Sequence, residues 1–191
     1  MDLVIQRTRI VVASGELAFQ EVDALIHPTN DFLWFASGFS EALRQQGGDS
    51  LEQEAIAAGP IRVGTAVTTA PGRLPCRMVI HAAAWGQDMM TDARKIHDAV
   101  ATALGLASRN QCRSVAIPPV GADVGRFPLP KAIEATFLSL IEHCLQETAI
   151  REIRFLAADR SVERALNSLI QSALSAQPPD GEPGESKEER S

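Results

Sequence analysis

Val22-Asp23-Ala24-Leu25-Ile26-His27-Pro28-Thr29-Asn30 is a short apolar run that stops at a proline and two polar turn-formers. An aliphatic run of this length without polar alternation suits a strand buried on both faces of a sheet. The strand is expected over Val22–His27, and the loop after it, His27 to Phe39, leads into a helical pattern. A second stretch has the same form: Ser114-Val115-Ala116-Ile117, then a Gly- and Pro-bearing loop from Pro118 to Pro128, then a helix. In open α/β sheets ligands bind where strand carboxyl ends feed helix N-termini, so these two loops are the candidate site.

Working outward, Leu3 to Val12 reads as one strand rich in β-branched residues. Thr65–Thr69, Met78–Ala82, Ser114–Ile117 and Ile153–Ala157 complete about six strands. Pro71-Gly72 and Pro75 supply turn chemistry between the third and fourth of them. Ile96, Val100, Leu104 and Ala107 recur at helical spacing, as do Ile133, Phe137, Leu140 and Cys144, and Val162, Leu166, Leu169 and Ile170. Weaker helices are expected over Ser40–Gln46 and Ser50–Ala58, with Ser40 and Ser161 as N-caps. The order β, β, α, β, α, β, α from residue 60 onward predicts a mixed central sheet covered by helices on both faces, a three-layer α/β/α fold.

The chain has 191 residues, 45% hydrophobic and 22% charged, which suits one domain over 1–176. Residues 177–191 carry no large apolar side chain and are expected to be a disordered acidic tail rich in Pro and Gly. No apolar run approaches the roughly 20 residues a bilayer needs, and no signal-peptide pattern opens the chain, so a cytoplasmic protein without a membrane partner is expected. The net charge of -6 argues against DNA or RNA as a partner, which calls for basic patches, but not against a small nucleotide. Three widely spaced cysteines and four scattered histidines form no metal-ligand pattern, so no metal and no cofactor is expected.

The two loops carry a family resemblance. Val22 to Asn30 resembles the signature of the macro domain, a module that binds ADP-ribose, and its His27-Pro28-Thr29-Asn30 version is similar to that of the large histone variants. Leu74-Pro75 with Met78-Val79-Ile80-His81, Trp85-Gly86, Val115-Ala116-Ile117-Pro118, Phe127-Pro128 and Asp159 follow in the family's order, so the resemblance spans about residues 3–174. It implies that ADP-ribose lies across the top of the sheet. Glu16 then stands where an acidic residue contacts the adenine amino group. Asn30 stands where an asparagine contacts the distal ribose. The competing readings are a solvated turn carboxylate for Glu16 and a turn residue satisfying its own backbone for Asn30. Trp34, Ser37, Gly38 and Phe39 belong to the first loop, and Gly121, Ala122, Asp123, Val124, Gly125 and Arg126 to the second. For His27 and His81, rings buried at strand ends are expected rather than catalytic groups.

The departures shape the expected function. Hydrolytic members have four glycines followed by Val-Asp. Counted from Asn30, the glycine run becomes Phe35-Ala36-Ser37-Gly38 and the aspartate becomes Ser40, which is no carboxylate base. Asp123 falls where a glycine approaches the diphosphate. A carboxylate ~4 Å from a phosphate opposes binding by ~4 kcal/mol at an effective dielectric of ~20, unless Arg126 compensates. Ala158 takes the place of an aromatic that stacks on adenine. Three functions compete: a module that binds ADP-ribose or an ADP-ribosylated protein without efficient turnover; an ADP-ribosyl hydrolase or O-acetyl-ADP-ribose deacetylase using Asn30 and a carboxylate such as Asp31; and a ligand-free scaffold whose loops are filled by Trp34, Phe35 and Asp123.

Overall fold

The computed structural model describes residues 2–35, 38–122 and 127–176. Five parallel strands form the centre of a sheet with an antiparallel strand at each edge. The strands are β1 (Asp2–Ile5), β2 (Thr8–Ser14), β3 (Ala24–Asn30), β4 (Ala66–Thr69), β5 (Met78–Trp85), β6 (Ser114–Ile117) and β7 (Glu152–Ala157), in the spatial order β1-β2-β7-β6-β3-β5-β4. The helices are α1 (Gly38–Gly47), α2 (Asp49–Ala58), α3 (Ala93–Arg109), α4 (Leu129–Cys144) and α5 (Arg160–Ala176).

Seven strands replace the expected six because Leu3–Val12 is a hairpin. Gln6 adopts a φ of 50° and folds β1 back on β2 with Ile5 opposite Thr8. The remaining strands and both weaker helices fall within a few residues of their expected positions.

The alternation of the parallel strands builds two cores. Ala24, Ile26, Ile80, Val115, Ile117, Ile153 and Phe155 face α3, α4 and α5. Leu25, Val79, Ala116 and Leu156 face Leu43 of α1, Leu51 of α2 and Leu74 of the loop between β4 and β5. Both faces of the central strands are thus removed from water, which is why their sequences are continuous apolar runs. At the amino-terminal rim, the Asp23 carboxylate accepts from the Arg113 and Ser114 amides at 2.6 and 3.2 Å. The Ser114 hydroxyl accepts from the Asp23 amide at 2.9 Å, which clamps β3 beside β6.

Two helix starts differ from expectation. Asp159, not Ser161, caps α5: its Oδ1 accepts from the Ser161 and Val162 amides at 2.7 and 3.0 Å. A carboxylate also complements the positive end of the helix, which favours it over a hydroxyl. Ser40 lies inside the first turn of α1 and faces the core instead of capping. None of the described helices is long and apolar enough to cross a membrane.

Candidate functional site

The carboxyl ends of β2, β7, β6 and β3 are neighbours in the sheet, and above them opens a recess of about 480 Å³. Each wall comes from one strand end. Gly15, Glu16 and Leu17 follow β2, Leu156 and Ala158 end β7, Pro118 follows β6, and Gly38, Phe39 and Ala42 lie on α1 beyond β3. Four of the expected site residues, Glu16, Gly38, Phe39 and Ala158, therefore meet here. Leu17, Ala42, Pro118 and Leu156 join them. Pro118 was legible only as loop chemistry, and Ala42 and Leu156 only as members of an expected helix and strand.

Among the described residues the walls are apolar except for the exposed Glu16. Such a slot suits a flat, weakly polar group with one hydrogen-bonding edge at its mouth. Gly38 starts α1, whose first turn presents backbone N–H groups toward anions. A Cβ built on Gly38 meets nothing within 4 Å, so the space in front of it is open.

Asn30 is engaged elsewhere. Its Oδ1 accepts from the Phe32 and Trp34 amides at 2.9 and 3.3 Å, and its Nδ2 donates to the Trp34 carbonyl at 3.3 Å. The Thr29 hydroxyl donates to the same carbonyl. Both ends of the Asn30 amide are thus spent on closing the loop, in which the buried Leu33 holds a φ of 61°. Replacing Asn30 with Ala removes three bonds at a site only 5% exposed. At about 1 kcal/mol net per bond, a stability loss of about 2–3 kcal/mol is expected in urea unfolding.

The aromatic residues of the first loop do not fill the recess. Trp34 is 46% exposed and tilted against Phe32 at a centroid distance of 5.1 Å. Phe35 turns inward, with its ring 4.8 Å from that of His27 and 5.8 Å from that of His81. Asp31 also lies away from the recess, beside Gly86.

Gly121 has a φ of 84°, and a Cβ there would sit 2.8 Å from Ile96 Cδ1. Its glycine is required by the backbone and by contact with α3, whatever approaches the loop from outside. Ala122 follows it, half-buried. Neither lines the recess. Ser37, Asp123, Val124, Gly125 and Arg126 lie outside the described residues.

Beneath α1 runs a buried polar chain. The Ser40 hydroxyl is 2.7 Å from His27 Nε2, His27 Nδ1 is 3.0 Å from His81 Nδ1, and His81 Nε2 is 2.8 Å from the Thr69 hydroxyl. Two facing ring nitrogens require one N–H donor and one bare acceptor, so each ring is satisfied while neutral. Burial, reinforced by His81, pushes His27 well below the usual histidine range, and burial alone takes His81 down to about 3. The chain supplies no carboxylate at the position of Ser40. Around the described part of the recess, Glu16 is the one carboxylate.

Residues 26–136 match the family profile described as Macro domain. A macro domain-containing protein of Listeria monocytogenes is 30% identical over 173 residues, 86% of this chain and 98% of its own length. An O-acetyl-ADP-ribose deacetylase of Citrobacter rodentium is 28% identical over 85% of this chain and 96% of its own. The chain spans less than half the length of some other relatives, such as 44% of a Mycobacterium tuberculosis protein that is 32% identical. Among solved structures, an Oceanobacillus iheyensis macrodomain superposes with a TM-score of 0.82 at 15% identity, covering 92% of this chain and 97% of that one. A Trypanosoma brucei macrodomain in complex with ADP-ribose gives 0.77 at 19% identity, covering 84% and 68%. With the profile covering more than half of its residues and the sheet and helices in place, the chain belongs to the macro domain family.

Proposed function

We propose that the chain binds ADP-ribose or a related adenine nucleotide in the recess, free or attached to a protein, without efficient turnover. The observation that carries this reading is an open apolar slot at the strand carboxyl ends, with Glu16 the one carboxylate among the described residues that line it. Glu16 accepts a hydrogen bond from the base amino group. Phe39 offers the aromatic surface that Ala158 lacks. Gly38 and Ser37 on one side and the loop from Gly121 to Arg126 on the other are assigned to the diphosphate and ribose. Asn30 serves by holding the first loop in shape. The histone-variant-like form of the His27-Pro28-Thr29-Asn30 segment belongs to the same reading.

Replacing Phe39 with Ala removes the stacking surface. By analogy with bases on aromatic side chains, the loss is ~1–3 kcal/mol, a five- to 150-fold weaker Kd. Titrating AMP and ADP-ribose separately checks the assignment, since both share the base and both must weaken by the same factor. Equal affinities in the wild type and the Phe39 variant remove the base from this slot.

The Citrobacter rodentium relative supports a second reading, hydrolysis of an ADP-ribose ester. That reading needs a base in place of Ser40, and its hydroxyl is held by a histidine driven toward the neutral form. The expected result is no release of acetate from O-acetyl-ADP-ribose above background at saturating substrate. Turnover that depends on Asp31 establishes the enzyme instead.

A further inference from the structure

The edge of the sheet opposite the recess has its own chemistry. Four of the five parallel strands are preceded by arginine: Arg7 before β2, Arg151 before β7, Arg113 before β6 and Arg77 before β5. Asp23 precedes the fifth, β3, and pairs with Arg77 at 3.7 Å. Arg7, Arg113 and Arg151 sit on three adjacent strands, β2-β7-β6, and have no ion-pair partner among the described residues. Glu152 beside them is taken by Arg9 and Arg154, and Glu147 is exposed at the margin. Backbone bonds hold the cluster together: the Arg151 amide donates to the Arg113 carbonyl at 2.7 Å, and the Arg9 amide to the Arg151 carbonyl at 2.9 Å. Burial lowers the pKa of Arg151, and the charges of Arg7 and Arg113 lower it further. Two shallow grooves run along this rim and share Glu147, Thr148 and Arg151.

An uncompensated cationic rim is unexpected on a chain of net charge -6. The fold itself delivers an anion to it. Only Ala158 and Asp159 separate β7 from α5, and α5 packs on β7, β2 and β1, so it runs back antiparallel to β7. Its 17 residues advance ~26 Å against ~20 Å for the six of β7, which brings Ala176 to the amino-terminal rim. The next fifteen residues carry Asp180, Glu182, Glu185, Glu188 and Glu189 against Lys187 and Arg190. Extended, they reach ~50 Å, several times the ~10 Å that separates β2 from β6.

We propose that the rim of Arg7, Arg113 and Arg151 is the docking surface for the chain's own acidic segment, residues 177–191. The docking is electrostatic and needs no regular structure in the segment. It covers the edge remote from the recess, so it is independent of nucleotide binding.

The test uses the full chain with a nitroxide on Ser186→Cys in a Cys76→Ser background. At an ionic strength of ~0.01 M, where the Debye length is ~30 Å, the backbone amide signals of Arg7, Arg113 and Arg151 are expected to lose more than half their intensity, while those of Gly15 and Phe39 do not. The loss is expected to disappear at ~1 M salt, where the Debye length is ~3 Å. It is also expected to disappear when Asp180, Glu182, Glu185, Glu188 and Glu189 are changed to their amides, a substitution that leaves residues 1–176 untouched. Uniform broadening, or rim broadening unaffected by salt and by the amide substitutions, overturns the proposal. So does a rim that stays unbroadened at low salt and responds only to added oligonucleotide or acidic peptide.

Discussion

Between about pH 6 and pH 4 the protein is expected to lose stability at about 2–3 kcal/mol per pH unit, through the two histidines beneath α1. His27 and His81 are fully buried, and both are held below their unfolded pKa of about 6.5. Above that value both states leave them neutral, and the network with Ser40 and Thr69 contributes in full. As pH falls, the unfolded chain takes up a proton on each while the folded chain does not, so the balance shifts toward unfolding until His81 protonates at about 3. Each extra proton on the unfolded state contributes about 1.4 kcal/mol per pH unit. Burial lowers His143 as well, which adds in the same direction. His97 is raised, first by its hydrogen bond to Glu142, and acts oppositely: its contribution is present at low pH and lost as pH rises. Urea unfolding at several pH values checks this. A slope that flattens in a His27→Asn, His81→Asn variant is expected, with His97→Gln leaving it unchanged below about pH 6 and removing a loss of stability only above that pH, and stability unchanged between about pH 7 and pH 5 contradicts it.

Gly72→Ala is expected to cost about 3 kcal/mol or more, a fall in Tm of about 6–12 °C. A Cβ at Gly72 would lie 2.3 Å from the Gly47 carbonyl oxygen, and the φ of 58° adds strain for any side chain. The neighbouring Arg73 amide donates to that same carbonyl at 3.1 Å, so the two backbones cannot separate without breaking the bond. Gly47 ends the helix that begins at Gly38, and displacing its carboxyl end shifts Gly38 and Phe39 at the recess. The variant is therefore expected to weaken nucleotide binding together with Tm, although residue 72 lies outside the recess. A melting temperature within about 2 °C of wild type contradicts the close approach.

The layers of this fold were legible because continuous aliphatic runs and 3.6-residue periodicity report burial directly. The hairpin at Gln6 was not, since Gln-Arg carries none of the Gly, Asn or Asp chemistry that announces a tight turn. Asp159 rather than Ser161 caps α5, a choice the sequence leaves open because either residue can start a helix and the outcome depends on where β7 stops. At the site, Gly38 was legible in the first loop, while Glu16 and Ala158 were legible only through the family resemblance. Ser40 looked like a cap from its neighbours, and only the packing of α1 on β3 brings it to His27. The same packing turns Phe35 inward and leaves Phe39 at the recess, a difference that four residues of loop sequence do not encode by themselves.

Calorimetric titration of ADP-ribose into the wild type and Gly38→Glu bears most directly on the recess as a nucleotide site. The open space before Gly38 lets the substitution fold, and a carboxylate in the first turn of α1 suits the helix dipole. The expected result is a Kd tighter than ~100 μM for the wild type, equivalent to about -5.5 kcal/mol, and no detectable heat for the variant at an unchanged Tm. Absence of heat from the wild type at millimolar ADP-ribose, or equal binding by the variant, contradicts the assignment.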